Sequence, residues 1–211
     1  STLYYWRLYA VTDGALSSFL TNSQSTTGGV NKISSGTGNW NTAGSWIPSG
    51  VPTLADNVTI ANGHTITINS DIICNALTVG QGTSGILRIG NNSTTRTLQI
   101  NSTITINNGG TFDVSTTSNT THGLTFRGNI INNGILNFAT DGTSFCNVTF
   151  NRSGNQTITG TGAVTNFNII RMDLGTSASN TLDVSSTNFS AVNNFLTLAN
   201  GTFKLSTTGV V

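Results

Sequence analysis

The chain has 211 residues, a mass of 22.0 kDa and a formal net charge of +1, and only 7% of its residues are charged, against about 25% in an ordinary globular protein. That balance leaves no electrostatic footprint for nucleic acid or an anionic membrane surface, and no apolar run approaches the roughly 20 residues of a membrane-spanning helix. Glutamate is absent, the wet residues are Asn, Thr, Ser and Gly, and the 36% hydrophobic content is high enough to build a core, so the composition favours turns and strands over long helices or disorder.

In chain order, residues 1–37 stand apart from the rest. Thr2-Leu3-Tyr4-Tyr5-Trp6-Arg7-Leu8-Tyr9 is aromatic and strand-like and carries every tyrosine of the chain. Residues 13–19 are the one place where a short helix is expected, and residues 21–38 read as a Ser/Thr/Gly/Asn loop. Because an open β-stack exposes unpaired edges and an apolar end, this segment is expected to act as an N-terminal cap.

Residues 38–68 are the most distinctive stretch. Gly38-Asn39-Trp40 is followed by Trp46, then Gly50-Val51-Pro52, then Asp56-Asn57-Val58-Thr59-Ile60, a Gly63-His64-Thr65 turn, and Ile66-Thr67-Ile68. From Asp56 onward one unit recurs: an alternating apolar pair, then Asn, Gly, Ser or Thr, then another pair. Val58/Ile60, Ile66/Ile68, Leu77/Val79, Leu98/Ile100, Phe112/Val114, Leu136/Phe138 and Phe203/Leu205 are members. Each alternation sends two side chains to one face of a strand.

Two architectures fit short strands at this spacing. One is an antiparallel β-sandwich; the other is a parallel β-helix with two or three strands per coil of roughly 20–25 residues. The short strands, the corners Asn107-Asn108-Gly109-Gly110, Asn132-Asn133-Gly134 and Asn200-Gly201, and the confinement of both prolines to positions 48 and 52 favour the β-helix. The expectation is an all-β, right-handed parallel β-helix over residues 38–211 that continues past the end of the chain, with residues 1–37 as cap. Asparagines at repeated positions are expected to form hydrogen-bonded ladders.

The leading segment resembles the start of the repetitive β-helix surface proteins of Bacteroidetes, and is similar to the glycine-rich extracellular domain that precedes β-helices in animal and bacterial surface proteins. Tyr4-Tyr5-Trp6 looks like the start of the mature proteins of that bacterial group. Residues 128–138, 155–162, 167–170 and 196–203 resemble their coil repeats. One departure is that about 30 residues separate the aromatic opening from Gly38-Asn39-Trp40, where the family runs almost directly from one to the other. The resemblance implies a secreted, cell-surface protein exported by type IX secretion and used in adhesion or gliding. The extra length of residues 1–37, where the chain departs from the family, is read as a capping element or as one that docks secretion or outer-membrane machinery or another surface protein.

Candidate chemistry is sparse. The seven acids are the aspartates 13, 56, 71, 113, 141, 173 and 183, with no adjacent or Asp-x-Asp pair, where a hydrolase or lyase on such a scaffold needs clustered carboxylates or bases. No catalytic, cofactor-binding or metal-binding residue is expected. Trp40, Trp46, Pro48, Pro52, Asp56, Gly63 and His64 are read as structural cap residues, with sugar stacking by the two tryptophans as the alternative. Cys74 and Cys146 are read as small buried hydrophobes rather than a disulfide, because they lie several coils apart. Thr-x-Thr pairs at 65/67, 103/105 and 157/159 are too sparse to form an ice-binding row over all coils, and the Asn-x-Ser/Thr sequons are at chance level for this composition. Polysaccharide surfaces are the expected ligands if the fold carries a binding function, and the alternative to a structural protein is a carbohydrate-active enzyme or glycan-binding module.

Overall fold

The computed structural model describes residues 28–193 and 196–206 in full, and below residue 28 the backbone of four strands. Two compact units are present, residues 1–30 and residues 31–211. In the first, Thr2–Leu8 pairs antiparallel with Leu20–Thr26, and Val11–Thr12 with Ala15–Leu16. The short helix expected at 13–19 lies largely outside the described residues, and Ala15–Leu16 within it is a strand. Leu20–Thr26 is likewise a strand where a loop was expected, because a partner strand supplies the backbone bonds that composition alone does not reveal.

The second unit is a parallel β-solenoid. One coil visits three sheets in turn: Asn57–Ile60 in a nine-stranded sheet, Thr65–Ile68 in a seven-stranded sheet and Ile72–Cys74 in a six-stranded sheet. Ala76–Val79 then returns to the first sheet beside Asn57–Ile60. The same circuit repeats to Thr202–Leu205. Among the named strands of this unit, pairing is parallel except between Asn31–Ser34 and Trp46–Ile47. A β-sandwich, built on antiparallel neighbours, is therefore not the fold.

The alternation in sequence becomes an inside and an outside. Val58 stacks under Leu77, Leu77 under Ile104, and Ile104 under Ile130, all buried, while the residues between them face outward. Phenylalanines fill the interior of the middle coils: Phe138 packs edge-on against Phe112 at 5.0 Å and Phe167 at 5.7 Å, and Phe126 against Phe150 at 6.0 Å. Asparagine ladders run between coils as expected. Asn57 donates to Asn31 (3.0 Å) and Asn75 to Asn57 (2.8 Å); Asn168 donates to Asn147 (2.7 Å) and Asn193 to Asn168 (2.6 Å). At one corner the coils approach so closely that only glycine fits. A Cβ on Gly134 would lie 2.3 Å from the Gly110 carbonyl oxygen, and one on Gly162 2.5 Å from that of Gly134.

The solenoid begins earlier than Gly38. Asn31–Ser34 pairs in parallel with Asn57–Ile60, so the stretch read as cap loop holds the first strand of the stack. Its inward residues are Lys32 and Ser34, polar where later coils are apolar, and that substitution hides the strand from a hydrophobic-pattern reading.

Phe138 sits at the centre of the aromatic stack, so Phe138→Ala is expected to destabilise the solenoid by about 3–5 kcal/mol in chemical denaturation. Ile135→Ser, on the outer face, is expected to change stability by less than about 1 kcal/mol.

Candidate functional site

The N-terminal end of the solenoid gathers most of the residues singled out in the sequence. Trp46–Ile47 forms the terminal strand of the nine-stranded sheet, and Gly38–Asn39 the terminal strand of the seven-stranded sheet. Between them Trp40 and Trp46, each 1% exposed, meet edge to face with centroids 5.0 Å apart, and the Trp46 Nε1–H donates to the Trp40 carbonyl at 2.8 Å. Both rings belong to the continuous hydrophobic core. Rings buried this deeply act as a plug and have no face free to stack on a sugar.

The other marked residues serve the turns and strand contacts of the same end. Asp56 Oδ2 accepts from the Thr53 N–H (2.8 Å) and hydroxyl (2.9 Å), closing the turn that follows buried Pro52. Pro48 is exposed, but its carbonyl and that of Ser49 accept from the buried Lys32 ammonium at 2.9 and 3.4 Å. Gly63 takes a φ of +76° at the corner before His64, a conformation glycine adopts without strain. His64 Nδ1 lies 2.9 Å from Ser34 Oγ, which also accepts the Ala61 N–H at 2.9 Å.

Two serine–histidine contacts therefore exist, Ser34 with His64 and Ser118 with His122 (2.6 Å). A nucleophile–base pair needs a substrate path to the hydroxyl. Ser34 is 3% exposed, and Ser118 and His122 are 0% and 1%. His122 accepts the Arg96 N–H on Nδ1 at 3.0 Å, so the neutral ring carries its proton on Nε2 and gives it to Ser118. Burial, reinforced by the nearby Arg96 charge, lowers the His122 pKa below its ordinary value.

The described aspartates are dispersed along the solenoid and serve the backbone or a neighbouring coil. Asp71 accepts the Thr97 N–H, Asp113 holds Arg88 through two bonds of 2.8 and 2.7 Å, and Asp141 closes its own turn on Thr143 and Ser144. Asp173 meets Asn200 and Arg171, and Asp183 meets Lys204. Among the described residues no three His, Cys, Asp or Glu side chains converge as a metal site would require. Cys74 and Cys146 are free and buried; desolvation pushes the Cys74 thiol up to about 12 and that of Cys146 well above its ordinary value. Among the described residues, no helix is long and apolar enough to cross a membrane.

Sequence reasoning missed Lys32, Ser34, Ser118 and the latch on His122. A signal was present for the first two, since Lys32-Ile33-Ser34 keeps the inward–outward alternation of Val58-Thr59-Ile60 with polar residues in the inward places. Comparison with family models, curated proteins and solved structures finds no match to this chain.

The His122 geometry sets a pH response. With its folded pKa below the unfolded value of about 6.5, the stability it contributes is complete above pH 6.5 and is lost as pH falls below it. The melting temperature is expected to decline from pH 7 toward pH 5, and this decline is expected to be absent from His122→Gln. The lowered pKa values of Asp141, Asp173 and Asp183 act in a separate window below pH 3.8.

Proposed function

We propose that this chain is a rigid structural and adhesive segment of a larger secreted, cell-surface protein, exported by a type IX system and acting in adhesion or gliding. The observation that carries the reading is the continuous in-register stack, in which each coil is bonded to the next on three sides and the interior is closed at one end by Trp40 and Trp46. Such a rod transmits load along its axis and presents the same lateral faces coil after coil, which suits weak, multivalent contacts. The dispersal of the described aspartates and the burial of Ser34, Ser118 and His122 support a non-catalytic role. The likeness of residues 38–68 to surface β-helix proteins supports the extracellular setting. In this reading residues 1–37 engage secretion or outer-membrane machinery or a further surface protein.

Beads coated densely with the chain are expected to adhere to cell-surface or polysaccharide-coated supports, while single chains in solution bind too weakly to be retained. Turnover of an acidic polysaccharide that disappears in Asp113→Asn would instead establish an enzyme on this scaffold. Failure of the beads to adhere to any support would remove the adhesive half of the proposal.

A further inference from the structure

The register of the nine-stranded sheet assembles a row that the sequence does not display. Thr59 stands opposite Thr78, Thr78 opposite Thr105, Thr105 opposite Ile131 and Ile131 opposite Thr159, all on the outer face. Five successive coils thus present a β-branched side chain at the same place, repeating about every 4.8 Å along the axis. A second outward position lies roughly 6.6 Å along each strand, at Asn57, Ala76 and Thr157.

Three further properties distinguish this face. Its side chains are stiff at χ1, so ordering them against a partner forfeits little entropy. Among the described residues, the hydroxyls of Thr59, Thr78 and Thr105 have no hydrogen-bond partner in the protein and are open to water. No charged residue occurs in the strands of this sheet from Asn57–Ile60 to Gln156–Thr159. The ion pairs lie elsewhere, Arg88 with Asp113 on the seven-stranded sheet, Arg171 with Asp173 on the six-stranded sheet and Asp183 with Lys204 at the far end, while exposed Arg127 and Arg152 sit in the turns that lead into Ile130–Asn132 and Gln156–Thr159.

We propose that this face binds ice. An uncharged row of methyl groups with the free hydroxyls of Thr59, Thr78 and Thr105, broken by Ile131 and ending at Thr159, whose hydroxyl donates to the Ile130 carbonyl, is fixed at a constant repeat by the backbone ladder and holds water at that repeat. It complements a lattice that is itself uncharged and periodic. A strongly hydrated ion would disrupt such water, and none is present there. A crystalline neutral polysaccharide shares the periodicity, but gripping sugar rings calls for aromatic faces, and no aromatic residue occurs in these five strands. The inference deepens the adhesive reading by naming a surface for the rod to hold.

The test is ice-recrystallisation inhibition by the full chain, alongside Thr78→Lys and Thr105→Lys, with Thr125→Lys on the outer face of the six-stranded sheet as control. Each variant is first checked for an unchanged circular dichroism spectrum and melting temperature. The expected result is inhibition by the parent chain, a loss of about ten-fold or more in Thr78→Lys and Thr105→Lys, and no loss in Thr125→Lys. Absence of inhibition by the folded parent, or equal loss in the control, overturns the proposal. So does co-sedimentation with crystalline cellulose or chitin that Thr78→Lys abolishes while ice is unaffected. Any of these leaves the bead-adhesion result, and hence the rod reading, to stand or fall separately.

Discussion

Successive strands of this chain lie side by side in parallel, and each coil must present to the next the same row of backbone donors and acceptors at the same height. A strand spacing of about 4.8 Å leaves no freedom to change the direction of a side chain from one coil to the next, because a one-residue slip would turn the interior outward. That demand explains why Val58, Leu77, Ile104 and Ile130 follow one another in the core. It also explains why the corner residues must be glycine where coils touch, as at Gly134 and Gly162. Asparagine recurs beside the strands for the same reason: one side-chain amide can accept from the coil on one side and donate to the coil on the other, as Asn57 and Asn168 do.

A repeating stack must also begin somewhere. Here the repeat is broken deliberately. Trp46–Ile47 pairs antiparallel with Asn31–Ser34, ending the nine-stranded sheet, and two tryptophans replace the missing layer of aliphatic side chains. Lys32 takes an inward position and spends its charge on the carbonyls of Pro48 and Ser49, while Ser34 ties Ala61 and His64 to the same layer. The polar residues of this end therefore serve as fastenings. A buried ammonium without such acceptors would destabilise the cap by far more than its packing contributes.

The fold class was legible because it depends on local alternation and corner chemistry, both written in contiguous residues such as Leu136-Asn137-Phe138 and Asn132-Asn133-Gly134. Trp40 and Trp46 stand out in sequence as large rings just ahead of the repeat, whereas Asp56, read there as a turn residue, is also buried. What could not be read were features created by stacking. Thr59 to Thr78 spans 19 residues but Thr78 to Thr105 spans 27, so no fixed period in the sequence aligns them. His122 and Arg96 meet for the same reason, through a loop whose length differs from coil to coil. The first strand was missed because Lys32 and Ser34 carry polarity where the pattern calls for apolar residues.

The central claim is that residues distant in sequence climb one axis in equal steps. Nitroxide labels on Thr59→Cys/Thr159→Cys test it most directly, because the native thiols are buried and the introduced ones face outward. Four strand steps separate the two positions through Thr78, Thr105 and Ile131, so pulsed electron paramagnetic resonance should return a backbone separation of about 19 Å, broadened only by the label arms. A distance beyond roughly 30 Å, or a distribution with several separated maxima, would contradict a single in-register parallel stack.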